Sequence, residues 1–103
     1  MIDHYSLTLT GAAQQVSDVL GANDDDPPAL SVQFEIQDDD TNPAYVGGDN
    51  TVSATDYGVR IAPIAAAEQL TEPRIFRGVK LRLREFWIIG TAADVVHITV
   101  VRA

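Results

Sequence analysis

The sequence predicts an all-β fold, a single antiparallel β-sandwich or jelly-roll domain that spans residues 1–103. Several short segments alternate apolar with polar residues, which is the period of a strand with one buried face. Turn-forming residues separate those segments at short intervals, as they do in sandwiches. A chain of 103 residues has room for one hydrophobic core, and its 46% hydrophobic content is enough to fill that core.

The first third of the chain contains two segments with clear strand patterning. Residues 5–10 alternate large apolar residues with Ser and Thr. Residues 30–37 alternate apolar residues, beginning with Leu30, with polar ones, and this is the cleanest amphipathic strand in the chain. Residues 11–20 have a helical apolar face but soon meet Gly21. Either a second strand or a single helical turn is therefore expected there.

The stretch from Ala44 to Ile61 is predicted to reverse tightly on itself. Tyr45 begins a strand, and the four residues 47–50 read Gly-Gly-Asp-Asn. Such residues adopt positive φ angles at small steric cost, which a tight reversal between strands requires. A second strand is expected to run from this turn through Val59 to Ile61.

The last third of the chain is predicted to contain three strands. Residues 62–78 are expected to be a long connection, in which two prolines favour an extended crossing between sheets over a short helix. Residues 79–84 are expected to be a strand with one apolar and one basic face. A parity slip at Glu85 suggests a bulge, followed by a strand at 86–89 that is buried on both sides. A hairpin turn at 90–94 leads to the final strand. The residues predicted to point inward are Leu7, Leu9, Val32, Phe34, Ile36, Leu81, Leu83, Ile89, Val96, Ile98 and Val100.

Acidic and basic residues are segregated along the chain, whose formal net charge is −8. Residues 1–59 contain eleven acids and no Lys or Arg, whereas residues 60–103 contain all seven bases and four acids. Either the halves neutralise each other within one fold, or each subunit presents a negative and a positive surface to its neighbours. In the second case the candidate interface residues are Asp24, Asp25, Asp26, Asp38, Asp39, Asp40, Arg74, Arg77, Lys80, Arg82 and Arg84.

Composition argues against several classes of partner. Binding to nucleic acid needs a basic footprint, which an acidic chain lacks. The chain has no cysteine, and so neither a disulfide framework nor a thiolate metal site is expected. No apolar run approaches the roughly 18 residues of a membrane-spanning helix, and the first residues lack the pattern of a secretory signal. We therefore expect no membrane partner and synthesis in a cytoplasm.

One acidic segment has the spacing that opens a calcium-binding loop. Asp38, Asp40 and Asn42 stand at alternate positions, as the first ligands of such a loop do. However, Pro43 occupies the position that requires glycine, and Asp49 that of the bidentate glutamate. The sequence therefore predicts a solvated turn and no metal or cofactor site.

No constellation of residues predicts catalysis. His97 has the parity of its strand neighbours and is predicted to be a satisfied sheet residue. Ser6 and Ser53 lack any local motif that would activate a nucleophile. Trp87 is predicted to be a core aromatic, with an interface anchor as the alternative. An enzyme is the least favoured class because neither an acid–base pair nor an activated nucleophile is found.

Four segments, residues 7–14, 45–48, 52–61 and 87–97, together resemble a class of small tailed-bacteriophage virion proteins. Proteins of that class carry, in the same order, a strand, a Val-Gly-Gly turn, a Ser-x-Thr-x-Tyr-Gly segment and a terminal hairpin around Gly-Thr. The two Asp triplets and the alanine-rich segment 62–67 depart from that pattern. The resemblance implies a structural role on the particle, either as a capsid cement protein or as a head- or tail-associated module.

The expected function is therefore that of a virion structural protein, assembled in the host cytoplasm. The favoured role is a capsid cement (decoration) protein that binds the major capsid protein and its own copies as a homo-dimer or homo-trimer. A tail- or fibre-associated module is one alternative. A ligand- or carbohydrate-binding β-sandwich is another, but it would normally expose aromatic residues, and most aromatics of this chain are expected in strand cores.

Overall fold

The computed structural model describes residues 2–19, 28–37, 42–62 and 74–102. Within these ranges the strands form two four-stranded antiparallel sheets that pack on one shared core. The elements are β1 (Ile2–Thr8), β2 (Gln14–Gln15), α1 (Val16–Val19), β3 (Ala29–Ile36), β4 (Ala44–Gly47), β5 (Val59–Ile61), β6 (Arg74–Leu81), a 3-10 helix (Leu83–Glu85), β7 (Trp87–Ile89) and β8 (Val95–Arg102). The predicted all-β sandwich is confirmed. None of the described helices is long and apolar enough to cross a lipid bilayer.

The first sheet has the strand order β1-β8-β3-β6 and contains the long strands. Phe34 of β3 lies opposite Ile98 of β8, and both side chains are fully buried. Alternation fails at the start of β3, where the register shifts between Ala29 and Ser31. As a result Ala29 is buried, and Leu30, the first apolar residue of the predicted alternation, is 41% exposed.

The second sheet has the order β2-β7-β4-β5 and consists of short strands. The prediction for residues 11–20 left a strand or a helical turn open, and both occur, because β2 is followed at once by α1. β4 and β5 pair as expected, but the reversal between them is not tight. β5 begins only at Val59, and residues 48–58 form a long loop.

The predicted positive φ angles at residues 47–50 are wrong. In the described ranges only Gly11 and Ala93 have left-handed φ angles, at 87° and 73°. The reversal is spread over residues 48–58, so it does not require the left-handed residues of a two- to four-residue turn. Gly47 is needed for a different reason: a Cβ atom there would lie 2.9 Å from Cγ2 of Val52, which folds back onto it and is buried.

Most of the predicted inward residues are buried in the core: Leu7, Leu9, Val32, Phe34, Ile36, Leu83, Val96, Ile98 and Val100. Leu81 is half-buried and packs against that core. Ile89 was predicted wrongly, since Ile88 is the fully buried residue of β7 and Ile89 is half-exposed on the outer face. Consequently β7 is buried on one side, not on both.

A cluster of three phenylalanines closes the core at the β6 side. The ring centroids of Phe34, Phe76 and Phe86 lie 5.0 to 5.8 Å apart, in tilted and edge-on arrangements. Such geometry adds specific aromatic attraction to the burial of apolar area. Phe76 belongs to β6, which begins at Arg74, inside the segment that was predicted to be a crossing connection.

The predicted strand at residues 79–84 is interrupted. β6 ends at Leu81, and Leu83–Glu85 form the 3-10 helix, in which the amide of Glu85 donates to the carbonyl of Arg82. The parity slip expected from a bulge is therefore made by this helical turn. Leu83 still points inward and is fully buried.

A partly buried ion pair links the two terminal strands of the described chain. Nε of Arg102 in β8 donates to Oδ2 of Asp3 in β1 at 3.0 Å. The Arg102 side chain is 4% exposed, whereas that of Asp3 is 31% exposed. Burial lowers the pKa of the guanidinium, but its hydrogen bonds with Asp3 and Tyr5 outweigh that effect, so the pKa is raised overall.

Candidate functional site

The basic residues that the sequence singled out do not share one face. Arg74, Arg77 and Lys80 are exposed on β6, whereas Arg82 follows the end of that strand and is half-buried. Arg84 is exposed on the 3-10 helix. The prediction of a single Lys80/Arg82/Arg84 face is wrong because the chain leaves the sheet after Leu81. What remains is a basic edge strand.

The acidic candidates Asp24, Asp25, Asp26, Asp38, Asp39 and Asp40 all lie outside the described residues. The calcium-like spacing that begins at Asp38 therefore stays a sequence observation. In the described part of the chain, no three His, Asp or Glu side chains come together as metal ligands would.

β6 is an edge strand of the first sheet, because it pairs only with β3 among the described strands. By register with Phe34 and Val32, residues 74 and 76 have the inward parity, and Ile75 and Arg77 the outward parity. Ile75 is 47% exposed. Nε of Arg74 donates to the carbonyl of Arg60 in β5 at 3.2 Å, which ties this edge to the second sheet.

A groove opens between the two sheets beside β6. It has a volume of about 260 Å³ and is lined mainly by apolar residues, among them Phe76 and Leu81 of the first sheet and Val46 of the second. Phe86 forms part of its wall, and Glu85 supplies a single carboxylate. We call this the flank groove. It lies on the inward side of the basic edge strand.

The outer face of the second sheet carries aromatic side chains. Tyr45 of β4 lies opposite Ile89 of β7, and Gly47 lies opposite Trp87, so these residues share the face that points away from the core. Tyr57, from the long loop, packs on Tyr45 with ring centroids 4.8 Å apart and is itself 44% exposed. We call Tyr45, Tyr57, Trp87 and Ile89 the aromatic face.

The aromatic face corrects two predictions. Trp87 is half-buried on the outside of the sheet and is not a core residue. The expectation that most aromatics lie in strand cores holds for the three phenylalanines but fails for Tyr45, Tyr57 and Trp87. Tyr45 stands between Ala44 and Val46, which are both buried, and alternate residues of a strand point to opposite faces. Strand parity was therefore the signal that could have placed Tyr45 on the outer face.

A second groove, of about 290 Å³, lies at one end of the aromatic face. Tyr45, Ile89 and Pro43 contribute apolar surface, and Asn42 and Thr91 contribute polar groups. Each of the four segments that carry the resemblance supplies at least one residue to its lining. The turn motifs of the sequence therefore converge in space, although they are far apart along the chain.

The loop at residues 48–58 is held by its own side chains. The Asp49 carboxylate accepts hydrogen bonds from the hydroxyl and the amide of Thr51. These bonds stabilise the charged carboxylate and lower its pKa, against a small opposing effect of burial. Oγ of Ser53 accepts from the amides of Thr55 and Asp56. The loop motif is therefore structural and positions Tyr57 over Tyr45.

The outer face of the first sheet brings together three residues that sequence spacing could not connect. Oγ of Ser6 lies 3.1 Å from Nδ1 of His97, and Glu35 is directly opposite His97 on the other neighbouring strand. The Ser–His–Glu order resembles a catalytic triad, but acyl transfer also needs an oxyanion hole and a substrate pocket. Ser6 and His97 are exposed on the sheet face, and neither lines one of the grooves formed by the described residues.

In comparisons with known proteins, no family model matches this sequence, and no curated protein matches it.

Proposed function

We propose that this chain is a structural protein of a tailed-bacteriophage virion, a capsid cement protein that binds the major capsid protein and stabilises the shell. The observation that carries the proposal is the aromatic face. Tyr and Trp are enriched at the centres of protein interfaces because they bury large areas at low entropic cost. A cement protein needs such a complementary surface and no catalytic group.

Two further observations support this role. The aromatic face lies on a sheet whose inner side is packed into the core, and so its side chains are presented on a rigid support. The order of the resembling segments along the chain is the second support. We further propose that the chain acts without enzymatic activity and associates with its own copies on the particle as a homo-dimer or homo-trimer.

The direct test is to ask whether the protein is part of purified particles. The gene would be deleted from the phage genome that encodes it, and the particles produced would be compared with wild type by mass spectrometry and heat inactivation. We expect the protein in wild-type particles in many copies, and earlier heat inactivation without it. Its absence from wild-type particles would refute the proposal.

The contribution of the aromatic face can be measured by adding purified protein back to undecorated particles. Tyr45→Ser and Trp87→Ser are each expected to weaken decoration by about ten- to thirtyfold, as for central aromatic anchors worth about 1.4–2 kcal/mol. Gln33→Ser, on the outer face of the first sheet, is the matched control and should decorate normally. Equal decoration by all three variants would show that another surface binds.

The alternative of a tail or fibre module makes a different spatial prediction. Cryo-electron microscopy of the same particles would show the protein on the shell lattice if it is a cement protein. Density confined to the tail would replace the cement assignment by the tail assignment.

A saccharide-binding role is the second candidate, because the groove at the end of the aromatic face combines Tyr45 with the polar groups of Asn42 and Thr91. Aromatic surface with a few fixed polar groups is typical of small-ligand sites. Nuclear magnetic resonance titration with host-wall oligosaccharides would test this role. Shifts at the groove residues would favour it, whereas spectra unchanged at millimolar saccharide would exclude it for the sugars tried.

A further inference from the structure

We propose that the exposed edge of β6 binds an extended acidic segment of a partner protein, which adds to the first sheet as a further strand. The inference deepens the proposed function and rests on it in taking the chain to be a binding module. It assigns a chemistry to one partner segment: acidic side chains alternating with apolar ones.

The backbone of β6 is the first part of the argument. The strand has eight residues and pairs with β3 on one side only, within the residues that the structure describes. Such an edge presents a row of backbone N–H and C=O groups that can template another strand. Strand addition uses those groups for affinity and leaves specificity to side chains on alternate positions.

The outward-facing side chains of β6 specify charge. Arg77 has the outward parity, and so has Lys80, because Leu81 beside it pairs with the inward residue Ala29. Both side chains are exposed, and β6 contains no acidic residue. Acidic residues on the outward face of an added strand would therefore lie opposite two cations.

The inward side of the same edge specifies apolar residues. The flank groove lies there and is lined by Phe76, Leu81 and Phe86. Its volume of about 260 Å³ is enough to accept one large apolar side chain. An added strand alternates its side chains between the two faces, so it would place apolar residues towards the groove and acidic residues towards Arg77 and Lys80.

A second copy of this chain offers no complementary edge among its described strands. β6 against β6 would place basic residues opposite basic residues, which is unfavourable. β5 carries Arg60, and β2 consists of two glutamines. The only acid of β1 is Asp3, and it is already paired with Arg102. The edge therefore fits a foreign acidic strand better than it fits any described edge strand of a second copy.

The experiment uses the full chain and a capped ten-residue peptide in which glutamate alternates with valine. A peptide with lysine in place of glutamate is the control. Titration by nuclear magnetic resonance should move the amide signals of β6 for the glutamate peptide alone. Two further glutamate peptides test strand addition, because N-methylation at alternate residues blocks the backbone N–H groups along one edge of the added strand. The peptide blocked on the edge that pairs with β6 should lose at least about tenfold in affinity, and the peptide blocked on its other edge should bind like the parent.

Variants of β6 test the charge assignment. The pair Arg77→Ser and Lys80→Ser should weaken the glutamate peptide about five- to tenfold at low salt, and the difference should shrink at high salt. The charge-retaining pair Arg77→Lys and Lys80→Arg should bind like wild type. Unfolding midpoints would verify that each variant is folded.

Three results would overturn the inference: equal binding of both charge types of peptide, equal binding of both N-methylated peptides, or no binding at all. If nothing binds, sedimentation shows whether a second copy occupies the edge, and that result would equally reject a foreign acidic strand. The strand addition and the proposed virion function can be rejected independently of each other. Decoration of particles by a protein that ignores the peptide would reject only the strand addition, and peptide binding by a protein absent from virions would reject only the virion role.

Discussion

The partly buried Arg102–Asp3 pair makes an asymmetric prediction about stability. The two residues join β8 to β1 at 3.0 Å, and their side chains are exposed to very different degrees, 4% for Arg102 and 31% for Asp3. Removing the partner of the more buried charge should therefore cost more than removing the buried charge itself. The two perturbations to compare are Asp3→Ala and Arg102→Met.

Asp3→Ala removes the carboxylate from the guanidinium, which stays buried and keeps its hydrogen bond with Tyr5. Breaking a fully buried pair costs about 3–5 kcal/mol, and a hydrogen bond to a charged group contributes about 1.5–3 kcal/mol. Because the Asp3 carboxylate is partly solvated, the pair is weaker than that limit, and we expect a loss of about 1–2 kcal/mol. Arg102→Met keeps the apolar stem and lets Asp3 take up water, so its cost should stay below about 1 kcal/mol.

The assay is urea unfolding followed by the fluorescence of Trp87, which is the single tryptophan of the chain. Asp3→Ala should lower the midpoint without changing the slope, and should lower the melting temperature by about 5–12 °C. A smaller loss for Asp3→Ala than for Arg102→Met would refute the reasoning, because the guanidinium would then not depend on its partner.

Three further predictions concern packing and the long loop. Gly90→Ala should cost about 1–3 kcal/mol in unfolding free energy, because its methyl carbon would lie 2.5 Å from a buried leucine side chain. The methyl carbon of Gly48→Ala would have no atom within 4 Å, so this substitution should change the unfolding free energy by less than about 0.5 kcal/mol. Ile88→Ala should cost about 2–5 kcal/mol and Ile89→Ala clearly less, and the opposite ranking in urea unfolding would reverse the inner and outer faces of β7. The pKa of Asp49 in the folded state is lowered, so the stabilisation from its loop hydrogen bonds is present above the ordinary aspartate pKa and is lost as the pH falls through the folded-state pKa. A nuclear magnetic resonance titration of the Asp49 carboxyl carbon with an ordinary or raised midpoint would contradict those bonds.

The sequence was most informative where the two faces of a strand differ in polarity. Residues 32–36 alternate strictly, and β3 buries the residues of one parity there. β7 shows the limit of this signal: Trp87, Ile88 and Ile89 are all apolar, so their pattern contains nothing to distinguish the core face from the aromatic face. The sandwich could be predicted, whereas the face that we propose as the binding surface could not.

Other features depend on contacts between residues that are distant along the chain. Ser6 and His97 meet across β1 and β8 although 91 positions separate them. Val52 is buried because the loop folds back on Gly47, which no local pattern indicates. The alternation at 79–84 resembled a strand, but the chain takes a helical turn at Leu83 and still directs that side chain inward. In each case tertiary packing overrides the local period.

The order of strands in the first sheet has a consequence for synthesis on the ribosome. β8 is the last described strand along the chain, yet it lies between β1 and β3 and pairs with both. The partners Ile2 and Val101 are nearly a full chain length apart, so the sheet cannot close while its central strand is still inside the exit tunnel. Until Val95 and the residues after it emerge, β1 and β3 both expose the edges that β8 will join. Folding of the first sheet is therefore completed late, and a nascent chain that stalls before β8 would expose two unpaired strands to aggregation.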